Sequence, residues 1–220
     1  MDSHDQPSKP AVLPAQCMPQ HSPAAERNQQ PILAVLQRVL PTSGQALEIA
    51  SGTGQHVAFF ASRMPAWTWQ PSDRSDAAFD SIAAWCGQLG ASTVSAPVLL
   101  DVMAPRWPAL GLEFPPNMDA IYCANLLHIA PWATCGALMR GASRYLGTQG
   151  ALVTYGPYLE HAVTTSPGNL DFDISLRQRD PAWGIRALQA VVREAELVGL
   201  RLDQRIQMPA NNLLLVFQRI

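Results

Sequence analysis

A glycine-containing turn between a short apolar strand and a helix is the part of this sequence best suited to bind a ligand. Residues 45–56 read Gln-Ala-Leu-Glu-Ile-Ala-Ser-Gly-Thr-Gly-Gln-His, and apolar residues at helical spacing follow from Val57. Gly52 and Gly54 have no Cβ, so the backbone can approach a ligand closely, with the amide groups of the next helix facing it. The pattern predicts a nucleotide-type binding loop, and a tight strand-to-helix turn without a ligand is the alternative.

The spacing of the glycines separates the ligands that use such loops. A phosphate-binding loop requires Gly-x4-Gly-Lys-Ser/Thr, which is absent, and the last glycine of a dinucleotide loop would fall at Val57. The pattern Glu48-x-Ala50-x-Gly52-x-Gly54 instead resembles the first motif of class I S-adenosylmethionine (SAM) methyltransferases, with Ala50 in place of the first glycine.

Carboxylates follow the next two predicted strands. Asp73 lies 19 residues beyond Gly54, where a nucleotide-binding βαβ unit places a carboxylate for ribose hydroxyls, although it is also a good helix cap. Asp101 ends the third predicted strand and is suited to accept a hydrogen bond from an exocyclic amine, and the neighbouring Val102 amide is suited to an adenine ring nitrogen. Ribose and adenine recognition are therefore expected here.

Candidate catalytic groups follow the fourth and fifth strands. Asn125 and His128 interrupt an apolar run at the carboxyl end of a strand, where open α/β sheets bind ligands. His128 is the candidate general base because histidine titrates near neutrality, and a hydrogen-bonded core histidine is the alternative. Tyr155 and Asp173 are expected to orient the substrate, and Trp183 to wall the pocket. Residues 166–184 are either a substrate loop or a lid helix.

The composition favours a small ligand. The chain has 220 residues, 48% hydrophobic and 15% charged, with a formal net charge of −2, so no basic field calls for nucleic acid. No apolar run approaches the length of a membrane span, and the N-terminus lacks the apolar region of a signal peptide, so a cytoplasmic location is expected. The four cysteines form no Cys-x-x-Cys pair and are expected to be reduced.

The remaining pattern predicts one α/β domain after a tail. Residues 1–25 contain five prolines among polar residues and are interpreted as a Pro-rich N-terminal tail, with the domain at 26–220. Pro31 is expected to be the first residue of a helix, with Arg27 and Asn28 just ahead of it. Further strands are expected at 67–70, 94–100, 119–123 and 150–155, with a closing hairpin of 200–207 and 213–217.

This order of elements resembles the Rossmann-like class I methyltransferase fold, a seven-stranded, mostly parallel sheet with an antiparallel C-terminal hairpin strand. Several signatures, including Glu26-Arg-Asn28, Asp180-Pro-Ala-Trp-Gly-Ile-Arg186 and Met208-Pro-Ala-Asn-Asn212, are similar to a methyltransferase-like family of unknown function found in bacteria and animals. The resemblance implies a SAM-dependent methyltransferase with an unidentified, small-molecule substrate. A non-catalytic binding module and an NAD-dependent oxidoreductase are the alternatives. The residues expected to bind S-adenosyl-L-methionine are Arg27, Asn28, Glu48, Ala50, Gly52, Gly54, Gln55, His56, Asp73, Asp101, Val102 and Asn125.

Overall fold

A central twisted sheet carries the fold. The computed structural model describes residues 18–108, 111 and 113–220. Seven strands pair in the order β3-β2-β1-β4-β5-β8-β7, and only β8 runs antiparallel to its neighbours. The predicted seven-stranded, mostly parallel sheet with an antiparallel C-terminal strand is therefore confirmed. A short strand, β6, pairs with β5 off this path. The strands are β1 Gly44–Ile49, β2 Trp67–Asp73, β3 Val98–Leu99, β4 Met118–Ala124, β5 Leu146–Leu159, β6 Arg186–Ala187, β7 Leu200–Met208 and β8 Asn212–Arg219.

Helices cover both faces of the sheet. They are α1 Pro23–Val39, α2 Gln55–Arg63, α3 Phe79–Leu89, α4 Ala133–Tyr145, α5 Pro167–Arg179 and α6 Leu188–Glu196. Successive strand residues point to opposite faces, so Ile121 packs in the core with α4 and α6, while Tyr122 packs in the core with α1, α2 and α3. Burial on both faces explains the nearly continuous apolar runs of β1 and β4.

Helix α1 begins at Pro23, eight residues before Pro31, so the prediction that Pro31 starts it is wrong. Ser22 caps the helix by accepting a hydrogen bond from the Ala25 amide at 3.3 Å, and Pro23 takes the first helical position. Pro31 lies inside the helix, where a proline costs about 3 kcal/mol. The apolar face beyond it, including the fully buried Ile32 and Leu36, offsets that cost.

The third strand is also shorter than the predicted range of 94–100. Regular pairing is confined to Val98 and Leu99, preceded by a single bridge between Trp69 and Val94. Pro97 has no amide hydrogen to donate and lies at the edge of the sheet, which interrupts the ladder. The strand still ends immediately before Leu100 and Asp101, so the carboxylate emerges at the expected edge.

Two further predictions concern the ends of the described chain and the insertion. Residues 1–17 of the predicted tail lie outside the described residues, and residues 23–25 form the first turn of α1. Within residues 166–184, the segment from Pro167 to Arg179 is helical, with Ser166 as its cap.

No helix in the described part of the chain is both long and apolar enough to cross a membrane.

Candidate functional site

The glycine turn lies at the carboxyl end of β1 and runs directly into α2. Ala50, Gly52 and Gly54 adopt φ angles of 57°, 52° and 84°, respectively, in the left-handed region. At Gly54 a Cβ would lie 2.6 Å from the Cα of Ile82, whereas at Gly52 it would meet no atom within 4 Å. Gly54 is therefore required for packing against α3, and Gly52 leaves an open approach to the backbone.

Glu48 is buried beneath this turn. Its side chain is 2% exposed, and its Oε2 atom has no hydrogen-bond partner among the described residues. Burial raises its pKa to about 8; a hydrogen bond with Ser51 lowers the pKa and the charge of Asp73 raises it. At neutral pH the free protein therefore holds a mostly protonated carboxyl group next to the ligand turn.

Asp73 joins the end of β2 to the turn after β1. Its Oδ2 atom accepts a hydrogen bond from the Gly52 amide at 3.0 Å, and its Oδ1 atom accepts one from the Ser75 amide at 3.3 Å. Asp101, after β3, accepts from the Met103 amide at 2.8 Å. Parallel strands bring these carboxylates to one edge of the sheet.

A cleft of about 500 Å³ opens at this edge. Five of the residues expected to bind the cofactor line it: Ala50, Gly52, Asp73, Asp101 and Val102. Its walls are mostly apolar, which is typical of small-molecule sites with a few polar groups that fix orientation. The other lining residues are Ile49, Arg74, Leu100, Met103, Leu126, Ile129, Ala130, Pro131, Ala133, Thr134, Asp180 and Trp183.

Most of these additional residues were not singled out from the sequence. Arg74 and Leu126 directly follow Asp73 and Asn125, so continuing each strand-end motif by one residue would have found them. Thr134 belongs to α4 and no local pattern marks it. Asp180 stands in the Asp-Pro-Ala-Trp-Gly-Ile-Arg signature, which was the available signal.

A second polar group lies behind the turn. The Nε2 atom of His56 is 2.7 Å from Oδ1 of Asn28, and its Nδ1 atom is 3.4 Å from the hydroxyl of Tyr122. Burial lowers the pKa of His56 to about 4, so the ring is neutral and Nε2 donates to the Asn28 oxygen. Burial raises the pKa of Tyr155. A hydrogen bond with Asn28 and the charge of Arg27 lower this pKa, but the effect of burial is larger. Asn28 thus connects α1 to α2 and β5.

The N-terminal segment is tied to the same turn. The side-chain oxygen of Gln55 accepts a hydrogen bond from the Ser22 amide, and the Gln20 amide donates to Ser81 Oγ at 2.8 Å. Ser81 Oγ in turn donates to the Thr53 carbonyl at 2.8 Å. Residues just before α1 therefore bind the turn and α3 together.

His128 lies in a short turn of 3₁₀-helix after β4 and is fully buried. Its ring packs edge-on against Tyr158, with centroids 5.2 Å apart, and neither ring nitrogen has a hydrogen-bond partner among the described residues. Burial, and next the charge of Arg186, lowers its pKa to about 3. A Cβ on residue 156 would lie 2.3 Å from Nε2, so Gly156 makes room for this ring. His128 does not line the cleft, whereas Ile129 and Ala130 do.

Asn125 and Asp173 also stand outside the cleft lining. Asn125 has φ 59° and its amide donates to the Tyr155 carbonyl at 2.8 Å, which extends the pairing of β4 with β5. Asp173, on α5, accepts hydrogen bonds from the Ile185 amide at 2.6 Å and from Arg177 Nε at 2.8 Å. Burial raises the pKa of Asp173, but the hydrogen bonds from Arg177 and Ile185 outweigh it and the net shift is downward.

The fold is the one seen in methyltransferases. The chain superposes on the mitomycin 7-O-methyltransferase MmcR with a TM-score of 0.74 at 14% identity, covering 90% of this chain and 54% of that one. An O-methyltransferase family 2 protein from Planctomyces limnophilus, in complex with apigenin, gives a TM-score of 0.72 at 18% identity, with coverage of 90% and 60%. CalO1, a methyltransferase of calicheamicin biosynthesis in its S-adenosylhomocysteine (SAH)-bound form, gives a TM-score of 0.69 at 14% identity, covering 90% of this chain and 55% of that one. The chain therefore spans little more than half of each of these proteins.

At the level of sequence, a family model matches residues 19–219. The chain belongs to this family, which is described as a protein of unknown function, DUF938.

Proposed function

We propose that this protein binds S-adenosylmethionine in the cleft at the carboxyl edge of its sheet and transfers the methyl group to a small-molecule acceptor. The observation that carries the proposal is an open glycine turn in a methyltransferase fold, with the buried carboxyl group of Glu48 beneath it and the carboxylates of Asp73 and Asp101 in the lining of the adjoining cleft. No such arrangement is needed for a simple strand-to-helix turn.

The residues of the cleft fit this cofactor. The unpartnered Oε2 atom of Glu48 lies beneath the turn, outside the cleft lining, and a bound ammonium group, directly or through a water molecule, would favour its ionised form. The open Gly52 backbone admits the ribose and methionine portion. Asp73 has acceptor capacity for ribose hydroxyls, and Asp101 with the Val102 amide is suited to adenine. In the same proposal, Arg27, Asn28, Gly54, Gln55, His56 and Asn125 complete the cofactor site behind the turn.

When bound, the sulfonium of this cofactor supplies an activated methyl group, so the protein has chiefly to align the acceptor and exclude water. In the same proposal His128, whose ring nitrogens have no partner among the described residues, accepts a proton from the acceptor, and Tyr155 and Asp173 orient the acceptor. None of these three residues lines the cleft, so the acceptor would have to reach beyond the lining to meet them. The apolar walls, including Ile129 and Trp183, suit an acceptor with a flat or apolar body.

Calorimetric titration with SAM, SAH and NAD tests the binding step. We expect SAM and SAH to bind and NAD not to bind; NAD binding without SAM binding would instead favour an oxidoreductase. Glu48→Gln and Asp73→Asn should each weaken SAH binding, while Glu196→Gln, at an exposed position of α6, should leave it unchanged.

A non-catalytic SAM-binding module is the second candidate, and one observation favours it. His128 is completely buried and its ring nitrogens have no partner among the described residues, which is also what a core histidine would show. Incubation with methyl-labelled SAM and metabolite extracts separates the two functions, because only the enzyme yields a labelled product. If turnover is found, His128→Ala should lower it by about 10²–10⁴-fold with SAM affinity nearly unchanged. Full activity in a folded His128→Ala protein would assign the residue to the core.

A further inference from the structure

Two segments far apart in the sequence meet across the outer part of the cleft. The turn of residues 126–131, between β4 and α4, contributes Leu126 and Ile129 to the lining. The segment of residues 180–186, which follows α5 and ends at the first residue of β6, contributes Asp180 and Trp183. Neither segment belongs to a long strand or helix, so their relative position depends on contacts between them.

Arg186 makes most of these contacts. Its Nε atom donates to the Leu127 carbonyl at 2.8 Å, and its Nη2 atom donates to the carbonyls of Ala130 and Ala182, both at 2.7 Å. The guanidinium also lies 5.7 Å from the ring centroid of Trp132. One side chain thus joins three carbonyl oxygens from the two segments that form this wall.

Two further hydrogen bonds support the same junction. The Gly184 amide donates to the His128 carbonyl at 3.0 Å, and the Ile185 amide donates to Asp173 at 2.6 Å. Gly184 adopts φ 144°, a conformation that residues with a Cβ rarely take, so the backbone path that brings these groups together depends on a glycine. The segment is therefore fixed to the β4–α4 turn on one side and to α5 on the other.

We propose that Arg186 is a positioning residue of the cofactor cleft, which holds Asp180 and Trp183 against the 126–131 turn so that the cleft keeps the shape that binds its ligand. The planar guanidinium directs several donors at once in a fixed geometry, and a lysine ammonium, with its donors on one atom, does not reproduce the bridge between separated carbonyls. This inference rests on the proposed function, because the ligand used to test it is SAH.

The first measurement is a double-mutant cycle on SAH affinity. We expect Arg186→Lys to weaken SAH binding about 10-fold, since hydrogen bonds of a charged group to buried carbonyls are lost. Trp183→Ala should weaken binding as well, and the loss caused by Arg186→Lys should be clearly smaller in the Trp183→Ala background, because the wall it holds is already incomplete. Arg201→Lys, at an exposed site on β7, is the matched control and should leave the affinity unchanged. Fully additive losses, or an Arg186→Lys affinity equal to wild type, would overturn the proposal.

Hydrogen exchange of the free protein supplies a readout that needs no ligand. Arg186→Lys should raise the exchange rates of the Gly184 and Ile185 amides about 10-fold, with the amides of α2 unchanged. If the wild type does not bind SAH, the proposed cofactor fails, yet the junction is still tested by this measurement. Wild-type exchange rates at both amides in Arg186→Lys would refute the positioning role itself.

Discussion

Glu48 provides the sharpest test of the candidate site, because a buried carboxyl group makes stability depend on pH in a direction that few other groups produce. The folded protein holds Glu48 with a pKa of about 8, against an ordinary value of 4.5, and burial is the main cause. Between these two values the folded state binds more protons than the unfolded chain. Stability from this group is therefore lost as the pH rises through the window.

The magnitude follows from the two pKa values. Linkage gives a loss of about 3 kcal/mol from this residue alone between pH 5 and pH 7.5. Glu48→Gln keeps the shape of the side chain but does not ionise, so it removes this loss. The free energy of unfolding of the variant, relative to wild type, should therefore rise by about 3 kcal/mol over the same interval.

Urea unfolding of both proteins at pH 5 and pH 7.5 measures this difference. The comparison must be between the two proteins, because burial lowers the pKa of His56 to about 4 and that of His128 to about 3. In the folded protein both histidines stay neutral, whereas in the unfolded chain they take up protons below about pH 6.5. Their burial therefore lowers the free energy of unfolding of the protein as the pH falls below that value, in wild type and variant alike. Glu196→Gln makes the same change at an exposed position and should show no comparable trend. A wild-type-to-variant difference that stays constant with pH would refute the reasoning.

Four further substitutions test the turn and its carboxylate. Gly54→Ala should lower the free energy of unfolding by about 2–4 kcal/mol because the added Cβ meets Ile82. Gly52→Ala should lower it by only about 1 kcal/mol, because only the backbone angle is unfavourable there. Equal losses for the two variants in urea unfolding would contradict this. Ala50→Gly should raise stability by up to about 1 kcal/mol, since φ 57° disfavours a Cβ, and a lower melting temperature would count against it. Asp73→Asn should weaken SAH binding about 10-fold by calorimetry while its hydrogen bond from Gly52 is retained; unchanged affinity would remove Asp73 from the site.

The inner half of the candidate site could be predicted from the sequence because its residues follow strand ends. The polar residues Asp73 and Asp101 follow apolar strands, and parallel pairing places such positions at one edge. The spacing of apolar residues in the sequence identifies the strands, and the carboxyl ends of the strands identify the edge of the sheet where these residues lie. Local sequence was therefore sufficient for the glycine turn and both carboxylates.

The outer half could not be predicted in the same way because it depends on contacts distant in sequence. Arg186 reaches carbonyls 56 and 59 residues away, and nothing in its neighbourhood marks those partners. His128 shows the same difficulty, because a polar residue after a strand is compatible with either exposure or burial. The predicted start of α1 is wrong for a local reason: Pro23 and Pro31 both suit a first helical turn, and the signal that separates them is Ser22, which caps the helix directly before Pro23.

Backbone strain at the cleft edge connects these two halves. Ala50 and Asn125 both adopt left-handed angles, 57° and 59°, where β1 and β4, adjacent in the sheet, come to an end. Such conformations disfavour side chains by about 1–2 kcal/mol and persist where surrounding contacts hold them. At Ala50 the holding contact is the Ser51 amide bonded to the Ser72 carbonyl, and at Asn125 it is the amide bonded to the Tyr155 carbonyl. Both strands therefore leave the sheet within one residue of each other in register, and Gly52 and Leu126, which follow them, both line the cleft. Ala50 lines the cleft, and Asn125 lies outside the lining but directly precedes the lining residue Leu126, so the strain is located where it can hold the cleft open.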